Sequence, residues 1–328
     1  MKRMKLSMVA SPPSEKRLRA LKQLGLDHAV HYDMNDLPDS LSDLKAIADH
    51  YARHGLSWKI SEGGPAIDQI VMGKDGAQAQ TERYKRILGL LGQVGVEVIA
   101  YNFMPQVSAD AMVVRTSMNA RTRGGAQTSS FRLTDVNADT MRHEEVPIPP
   151  EQMWDNLERF LHAVLPAAEE AGVKLAMHPD DPPIANLCGL NRIMGSKESF
   201  DRLLDISASP SNGITFCVGC FSEMGEDIIS LLERYRSQIH FIHVRNISGT
   251  PHDFIETFPD DGQVDLAAVF RKLHEIGFGG YLRSDHAPRL ATESEASPDG
   301  YSMHGHMFTI GYLRGLEEAS RQSGAARS

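Results

Sequence analysis

The sequence predicts an α/β protein of the (β/α)8 TIM-barrel class, built as a single domain over residues 1–328. Three observations carry that expectation. First, eight short apolar, β-forming runs alternate with helical patterns along the whole chain, without a repeat or a break in composition. Alternation of that kind builds a parallel sheet, and eight units close it. Second, 328 residues with 41% hydrophobic content suffice for one large core, and α/β barrels run to about 250 residues as single domains. Third, the run from Lys174 to Pro183 starts as a buried strand and stops abruptly in His178, Asp180, Asp181 and prolines. Proline cannot continue a sheet ladder. An imidazole and two carboxylates at the C-terminal end of a buried strand lie where barrels build their sites. An open doubly wound sheet is the competing architecture. It would carry a glycine-rich phosphate loop after the first strand, and Ser11-Pro12-Pro13 is not one.

The elements follow in order. Leu6 to Ala10 is the first strand, and Ser14 to Leu24 a helix with Ser14 as N-cap. His28 to Asp33 alternates as a second strand; Leu41 to His54 is helical, with Gly55 as its stop. Ser57 to Glu62 is the third strand, ended by Gly63-Gly64-Pro65. Gln80 to Val94 is a helix stopped at Gly95, and Val96 to Phe103 the fourth strand. Residues 106–147 are rich in Ser, Thr, Arg and Gly with weak periodicity; they read as a long loop excursion over the site, a candidate lid. Pro149-Pro150 open a helix to Glu170, with Gly172 as its stop, and Lys174 to Pro179 is the fifth strand. The helix Lys197 to Ile206, the strand Gly213 to Gly219 and the helix Gly225 to Tyr235 come next. Ile239 to Asn246 is the seventh strand, followed by a polar loop and the helix Asp265 to Ile276. Gly280 to His286 is the eighth strand, and Tyr301 to Arg321 the closing helix.

Bulk properties exclude several classes. The net charge is −9, with acids and bases interspersed, so there is no basic nucleic-acid face. No apolar run approaches the roughly 18 residues that span a membrane. The start, Met1 to Ala10, is too short in apolar residues for a signal sequence. Three cysteines, Cys188, Cys217 and Cys220, argue against a disulfide framework and for a reducing, cytoplasmic compartment.

Chemistry-bearing residues fall at four successive strand ends: His178 on the fifth, Cys217 on the sixth, His243 and then Arg245 on the seventh, Asp285 and His286 on the eighth. Each has an ordinary structural explanation, since a strand histidine is most often a satisfied core group and cysteine a small apolar filler. Their joint occurrence around one barrel mouth is what points to a divalent metal. Softness suits His, Cys and Asp to zinc, and open positions for a hydroxy-acid suit manganese or iron. Cys217-Val-Gly-Cys220 invites a redox reading, but there is no second such pair and no thioredoxin-like helix start is expected after it.

At these residues the sequence resembles the D-mannonate dehydratase family. The matching segments are Tyr101-Asn-Phe-Met-Pro105, His178-Pro-Asp-Asp-Pro-Pro183, Gly189-Leu-Asn-Arg-Ile193, Phe216-Cys-Val-Gly219, His240-Phe-Ile-His-Val-Arg245, Gly262-Gln-Val-Asp265, Ser284-Asp-His286, Gly300-Tyr-Ser302 and Tyr312-Leu-Arg-Gly315. They keep the family order over nearly the whole chain, and the His-Pro-Asp-Asp-Pro-Pro block is the most specific. The resemblance implies a metal-bearing barrel similar to the xylose isomerases. It implies dehydration of a sugar acid, D-mannonate, to 2-keto-3-deoxy-D-gluconate, with Mn2+ or Fe2+ as cofactor. It places His178, Cys217, His243 and Asp285 as metal ligands, His286 and Tyr301 as the acid/base pair beside Asp285, and Asn102, Asp180, Arg192 and Arg245 near the substrate or in the layer of residues behind it. Self-association into a homo-oligomer follows only by analogy with other sugar-acid barrels.

The chain departs from the family pattern at several points. It has Ser284-Asp-His-Ala287 for Pro-Asp-His-Gly, Cys217-Val-Gly-Cys220 for Cys-Thr-Gly-Ser, and Asn191 in a proline position. His304-Gly305-His306 stands where the family has Ile-Gly-Arg, and residues 106–147 are shorter than the family's insertion and lack its Trp-x-Arg-Thr-Asp run. Two other functions stay open on these grounds. One is a metal-dependent sugar isomerase or epimerase, to which Glu62 at the end of the third strand would contribute a carboxylate. The other is a sugar-acid binding protein that keeps the metal shell without the chemistry.

Overall fold

Short apolar runs buried along their whole length must have both faces covered, and a closed barrel wrapped in helices does this. The computed structural model, which describes residues 2–11, 13–32, 37–107, 112–137, 146–293 and 300–325, has that architecture. Its parallel strands are β1 (Lys5–Val9), β2 (His28–Tyr32), β3 (Ser57–Glu62), β4 (Val98–Tyr101), β5 (Lys174–Met177), β6 (Asn212–Cys217), β7 (Ile239–Val244) and β8 (Tyr281–Ser284). They close in the order β1-β8-β7-β6-β5-β4-β3-β2. The helices after them are α1 (Glu15–Gln23), α2 (Leu41–Ala52), α3 (Ala77–Gln93), α4 (Pro150–Ala171), α5 (Lys197–Asp205), α6 (Ile228–Arg234), α7 (Leu266–Glu275) and α8 (Met303–Ala325).

Local chemistry sets the helix ends. Ser14 caps α1 by accepting from the Arg17 amide, and Ser196, Asp227 and Asp265 do the same for α5, α6 and α7. Pro150 opens α4, where a missing N–H costs nothing, and Gly172 closes it in the left-handed conformation at φ 68°.

The period-2 alternation of strand side chains divides the core in two. Val9, Val30, Ile60, Val98, Ala100, Ala176, Phe241 and Tyr281 form one cluster, filling the barrel's interior. Their neighbours of opposite parity, such as Met8, Ile99, Leu175, Ile214 and Leu282, join the larger layer between barrel and helices. The interior parity, continued towards the C-terminal ends, points His178, Cys217, His243, Arg283 and Asp285 into the mouth. The site is therefore a consequence of register.

The outer layer packs closely enough to be tested. A Cβ on Gly92 of α3 would lie 2.4 Å from the carbonyl oxygen of Ala171 at the end of α4. Gly92→Ala must push the two helices apart and is expected to cost about 1–3 kcal/mol, read as a lowered urea midpoint. A midpoint equal to wild type would mean that the contact yields freely.

The structure corrects two elements. Residues 106–147 are not simply a loop. Ser117–Arg121 and Gln127–Arg132 form a hairpin in a four-stranded antiparallel sheet whose other strands are Asn246–Thr250 and Asp253–Thr257. The polar loop expected after the seventh strand is thus the second hairpin of the same sheet. Few apolar residues mark this sheet: Phe131 and Phe254 stack at 5.9 Å, within a small cluster with Val107, Val114, Ile184, Leu187, Leu190 and Ile247. Most of what the strands bury is polar, including Thr128, Ser129, Asn246, Glu256 and Thr257, so period-2 hydrophobicity gives no signal. Parts of the expected excursion, residues 108–111 and 138–145, and Asp33 at the end of the second strand lie outside the described residues. Among the described residues, no helix is long and apolar enough to cross a membrane.

Candidate active site

His178 follows β5, Cys217 ends β6, His243 lies near the end of β7 and Asp285 follows β8 directly. The barrel brings the four together. His178 Nε2 lies 3.2 Å from His243 Nδ1, His243 Nδ1 lies 3.8 Å from Asp285 Oδ2, and Cys217 Sγ lies 3.9 Å from the same oxygen. Donors that share one ion at bond lengths of about 2.0–2.3 Å stand roughly 3–4 Å apart, so these separations fit a common metal. Cys217, His243 and Asp285 are buried. His178 Nδ1 donates to the Pro179 carbonyl oxygen at 2.7 Å, so Nε2 is the nitrogen that faces the cluster.

The electrostatics suit a cation as well. Burial alone would raise the Cys217 thiol, but Cys220 donating to it, the Arg245 charge and the two imidazoles hold it well below the usual thiol value. That favours the thiolate, the form that ligates. Burial likewise opposes ionisation of Asp285, yet Arg283, His286, His243 and Arg245 hold it far below the usual carboxylate range. For His178, burial favours the neutral ring, but the Cys217 thiolate and Asp285 outweigh it and raise the imidazole to about 9.

Around the cluster runs a network of buried ion pairs. Arg245 reaches Asp181 at 2.9 Å, Glu256 at 2.9 Å, Glu223 at 3.0 Å and Asp285 at 3.0 Å, and donates to Cys220 Sγ at 3.1 Å. Arg115 bridges Asp181 at 2.6 Å and Glu256 at 2.7 Å. Arg283 pairs with Glu62 at 2.6 Å and Asp285 at 2.9 Å, and donates to His243 Nε2 at 3.1 Å. Burial raises the Glu223 carboxyl well above its ordinary value.

These contacts place the other expected residues. Arg245 is 2% exposed and lies behind the donor cluster, paired with Asp181, Glu223, Glu256 and Asp285. It fills the cation position among Asp181, Cys220 and Glu223, a second group with metal-like spacing. Arg192 is buried too, donating to the carbonyl oxygens of Met112, Asp181 and Pro182. Asp180 is fully buried and accepts from the Met194 amide at 2.8 Å. Both tie down the turn after β5. Asn102 is half-buried one residue past β4, at the mouth. Cys217-Val-Gly-Cys220 does stand at a helix start, contrary to expectation: Val218–Glu223 begins directly after Cys217.

His286 and Tyr301 stand together at the rim. Their rings meet edge to face at 5.5 Å, and a bridge pairs Ala287 with Tyr301. Tyr301 and Tyr32 cap the interior apolar cluster from above. Burial raises the Tyr301 phenol, though Arg283 works against this, so it carries its proton. Burial would lower His286, but Glu256 and Asp285 raise it.

The family assignment can now be tested against known proteins. The D-mannonate dehydratase (UxuA) family model matches residues 16–146 and 141–327, nearly the whole chain. The chain belongs to the D-mannonate dehydratase family. It is 30% identical to mannonate dehydratase 2 of Halalkalibacterium halodurans over 96% of this chain and 99% of that protein. It is 32% identical to the mannonate dehydratase of Shouchella clausii over 92% and 93% of the two chains. A crystal structure of mannonate dehydratase from Streptococcus suis serotype 2 superposes with a TM-score of 0.89 at 30% identity, covering 99% of this chain and 95% of that one. An L-ribulose 3-epimerase superposes at 0.62 with 15% identity, a likeness of fold alone. As a member of the dehydratase family, the protein is a hydro-lyase.

The family departures fall in different places. Cys220 sits beneath the metal cluster, bonded to Arg245. His306, in the family's arginine position, is wholly buried, bonds Ser284 Oγ through Nδ1 at 2.9 Å, and burial pushes it down to about 3. It is a neutral support behind β8. Glu62, which kept the isomerase reading open, is engaged by Arg283.

Sequence reasoning missed Arg283, Tyr32, Arg115, Glu223 and Glu256. Arg283 and Tyr32 were reachable, since each continues the interior parity of its strand. Arg115 and Glu256 belong to the accessory-sheet region, where the sequence carries no periodic signal.

Proposed function

We propose that this chain dehydrates D-mannonate to 2-keto-3-deoxy-D-gluconate and water, with one divalent ion, Mn2+ or Fe2+, held by His178, Cys217, His243 and Asp285. The observation that carries this is the convergence of those four donors from successive strand ends beneath His286 and Tyr301. The reaction removes the C2 proton and the C3 hydroxyl of a sugar acid. The C2 proton is hard to remove because the adjacent carboxylate resists more negative charge. A bound divalent cation stabilises that developing charge. His286 and Tyr301 are the groups at the rim that can exchange protons there. One takes the C2 proton and the other protonates the departing hydroxyl. The enol that results ketonises to the 2-keto-3-deoxy acid. A reducing cytoplasm suits the site, which needs Cys217 as a thiolate, and all three cysteines are free.

The direct test is product formation from a panel of aldonic acids by the Mn2+-loaded protein. D-mannonate should yield the 2-keto-3-deoxy acid. Binding of D-mannonate without dehydration of any acid would overturn the proposal. Within the active enzyme, Tyr301→Phe removes only the phenolic oxygen. It is expected to retain metal and to lose turnover by about 10²–10⁴-fold, the usual worth of a proton-transfer group. Unchanged turnover would take Tyr301 out of the reaction.

A further inference from the structure

We infer that Glu256, supplied by the accessory sheet, is a positioning residue for His286, fixing its ring so that Nδ1 is the donor and Nε2 is left to exchange protons with substrate. The inference rests on the acid/base part proposed for His286. Glu256 lies on the strand Asp253–Thr257, directly opposite Ile247 in the hairpin that follows β7. Its side chain is 4% exposed, and its Oε1 lies 2.8 Å from His286 Nδ1. The other nitrogen of His286 has only a distant contact, 3.9 Å from Asp285 Oδ1. Among the described residues, then, Glu256 is the carboxylate within hydrogen-bond reach of this ring.

The alternative is that Glu256 serves only as a counter-ion for the arginines, because the same Oε1 accepts from Arg115 at 2.7 Å and from Arg245 at 2.9 Å. Both arginines have further partners. Asp181 takes Arg115 in a two-pronged pair at 2.6 and 2.9 Å, and Arg245 also reaches Asp181, Glu223 and Asp285. Among the described residues, His286 has no comparable second partner. The two arginines hold Glu256 rigid, and Glu256 passes that rigidity to the ring. An imidazole held by a carboxylate at one nitrogen keeps a single tautomer and orientation at the other. The barrel strands thus provide the reacting groups, and the accessory sheet provides the aim of one of them.

The test compares Glu256→Gln, Glu256→Asp and His286→Asn in the metal-loaded enzyme with D-mannonate. Glu256→Gln should lower kcat by roughly 10- to 100-fold, the usual cost of losing an outer partner, with KM within about threefold of wild type and metal content unchanged. Glu256→Asp, which keeps the charge but shortens the reach, should recover part of the loss. If His286→Asn is inactive while Glu256→Gln keeps kcat within twofold, the positioning role is overturned and the acid/base part of His286 stands. If His286→Asn itself stays active, that part fails, and the inference with it. Should the Glu256 variants not fold, 15N-imidazole NMR of the wild-type holoenzyme decides. A His286 signal protonated at Nδ1 and absent from the His286→Asn spectrum supports the inference; a ring protonated only at Nε2 overturns it.

Discussion

His243→Ala is expected to lose both the bound metal and turnover. The side chain is 1% exposed and stands between two other donors, 3.2 Å from His178 and 3.8 Å from Asp285. Water entering the space left by the imidazole would be a weaker donor. Removal also opens space beside Arg283, whose Nε lies 3.1 Å from His243 Nε2. Loss of an outer partner of a metal ligand costs roughly 10- to 100-fold in affinity or activity, and loss of a ligand should exceed that. His178→Ala should behave alike. Metal content after gel filtration and turnover in excess Mn2+ read the two effects separately. A metal-replete, fully active His243→Ala protein would remove this cluster from the account.

Arg245→Met is expected to show the largest loss of stability. The guanidinium is the shared partner of Asp181, Glu223, Glu256 and Asp285. Removing one side of a buried ion pair leaves uncompensated charge and costs about 3–5 kcal/mol, against a total stability of about 5–15 kcal/mol. A fall in Tm on the order of 10 °C follows for a chain of this size. The sign of the pH dependence is fixed. Burial opposes ionisation of Asp181 and Asp285, but arginines hold both below the ordinary carboxylate value. Their stabilising contribution is present above the unfolded value of about 4 and is lost as pH falls through the lower folded values. In the variant those carboxyls are no longer held so low, so less stability remains to be lost. The difference between wild type and variant should therefore be widest near neutrality and narrow in acid. A difference independent of pH between about 3 and 7 would contradict an electrostatic cause.

The barrel was legible because its signal is repeated: apolar runs, Ser and Asp caps, and stops such as Gly172 recur at each turn of the chain. The convergence of the strand-end donors was legible for a related reason. Strand parity forces Cys217, His243 and Asp285 inward once the apolar residues before them are assigned to the interior. The partners of the arginines were not legible, because sequence shows a charge but not its neighbours. Those of Arg192 and Arg245 come from backbone carbonyls and from carboxylates distant in sequence. The accessory sheet escaped notice because most of what its strands bury is polar: Thr128, Ser129, Asn246, Glu256 and Thr257 beside Phe131, Ile247 and Phe254. Glu256 escaped with it, since it reaches His286 only when Asp253–Thr257 folds back over the mouth.

The central claim is that one divalent ion at the four strand-end donors makes this barrel a D-mannonate dehydratase. The most direct measurement titrates metal-free protein with Mn2+ while following dehydration of D-mannonate. The account predicts activity that is absent without metal and rises in proportion to added ion, levelling at one equivalent per chain. Full activity in the metal-free protein, or no activity at saturating Mn2+ or Fe2+, would contradict it.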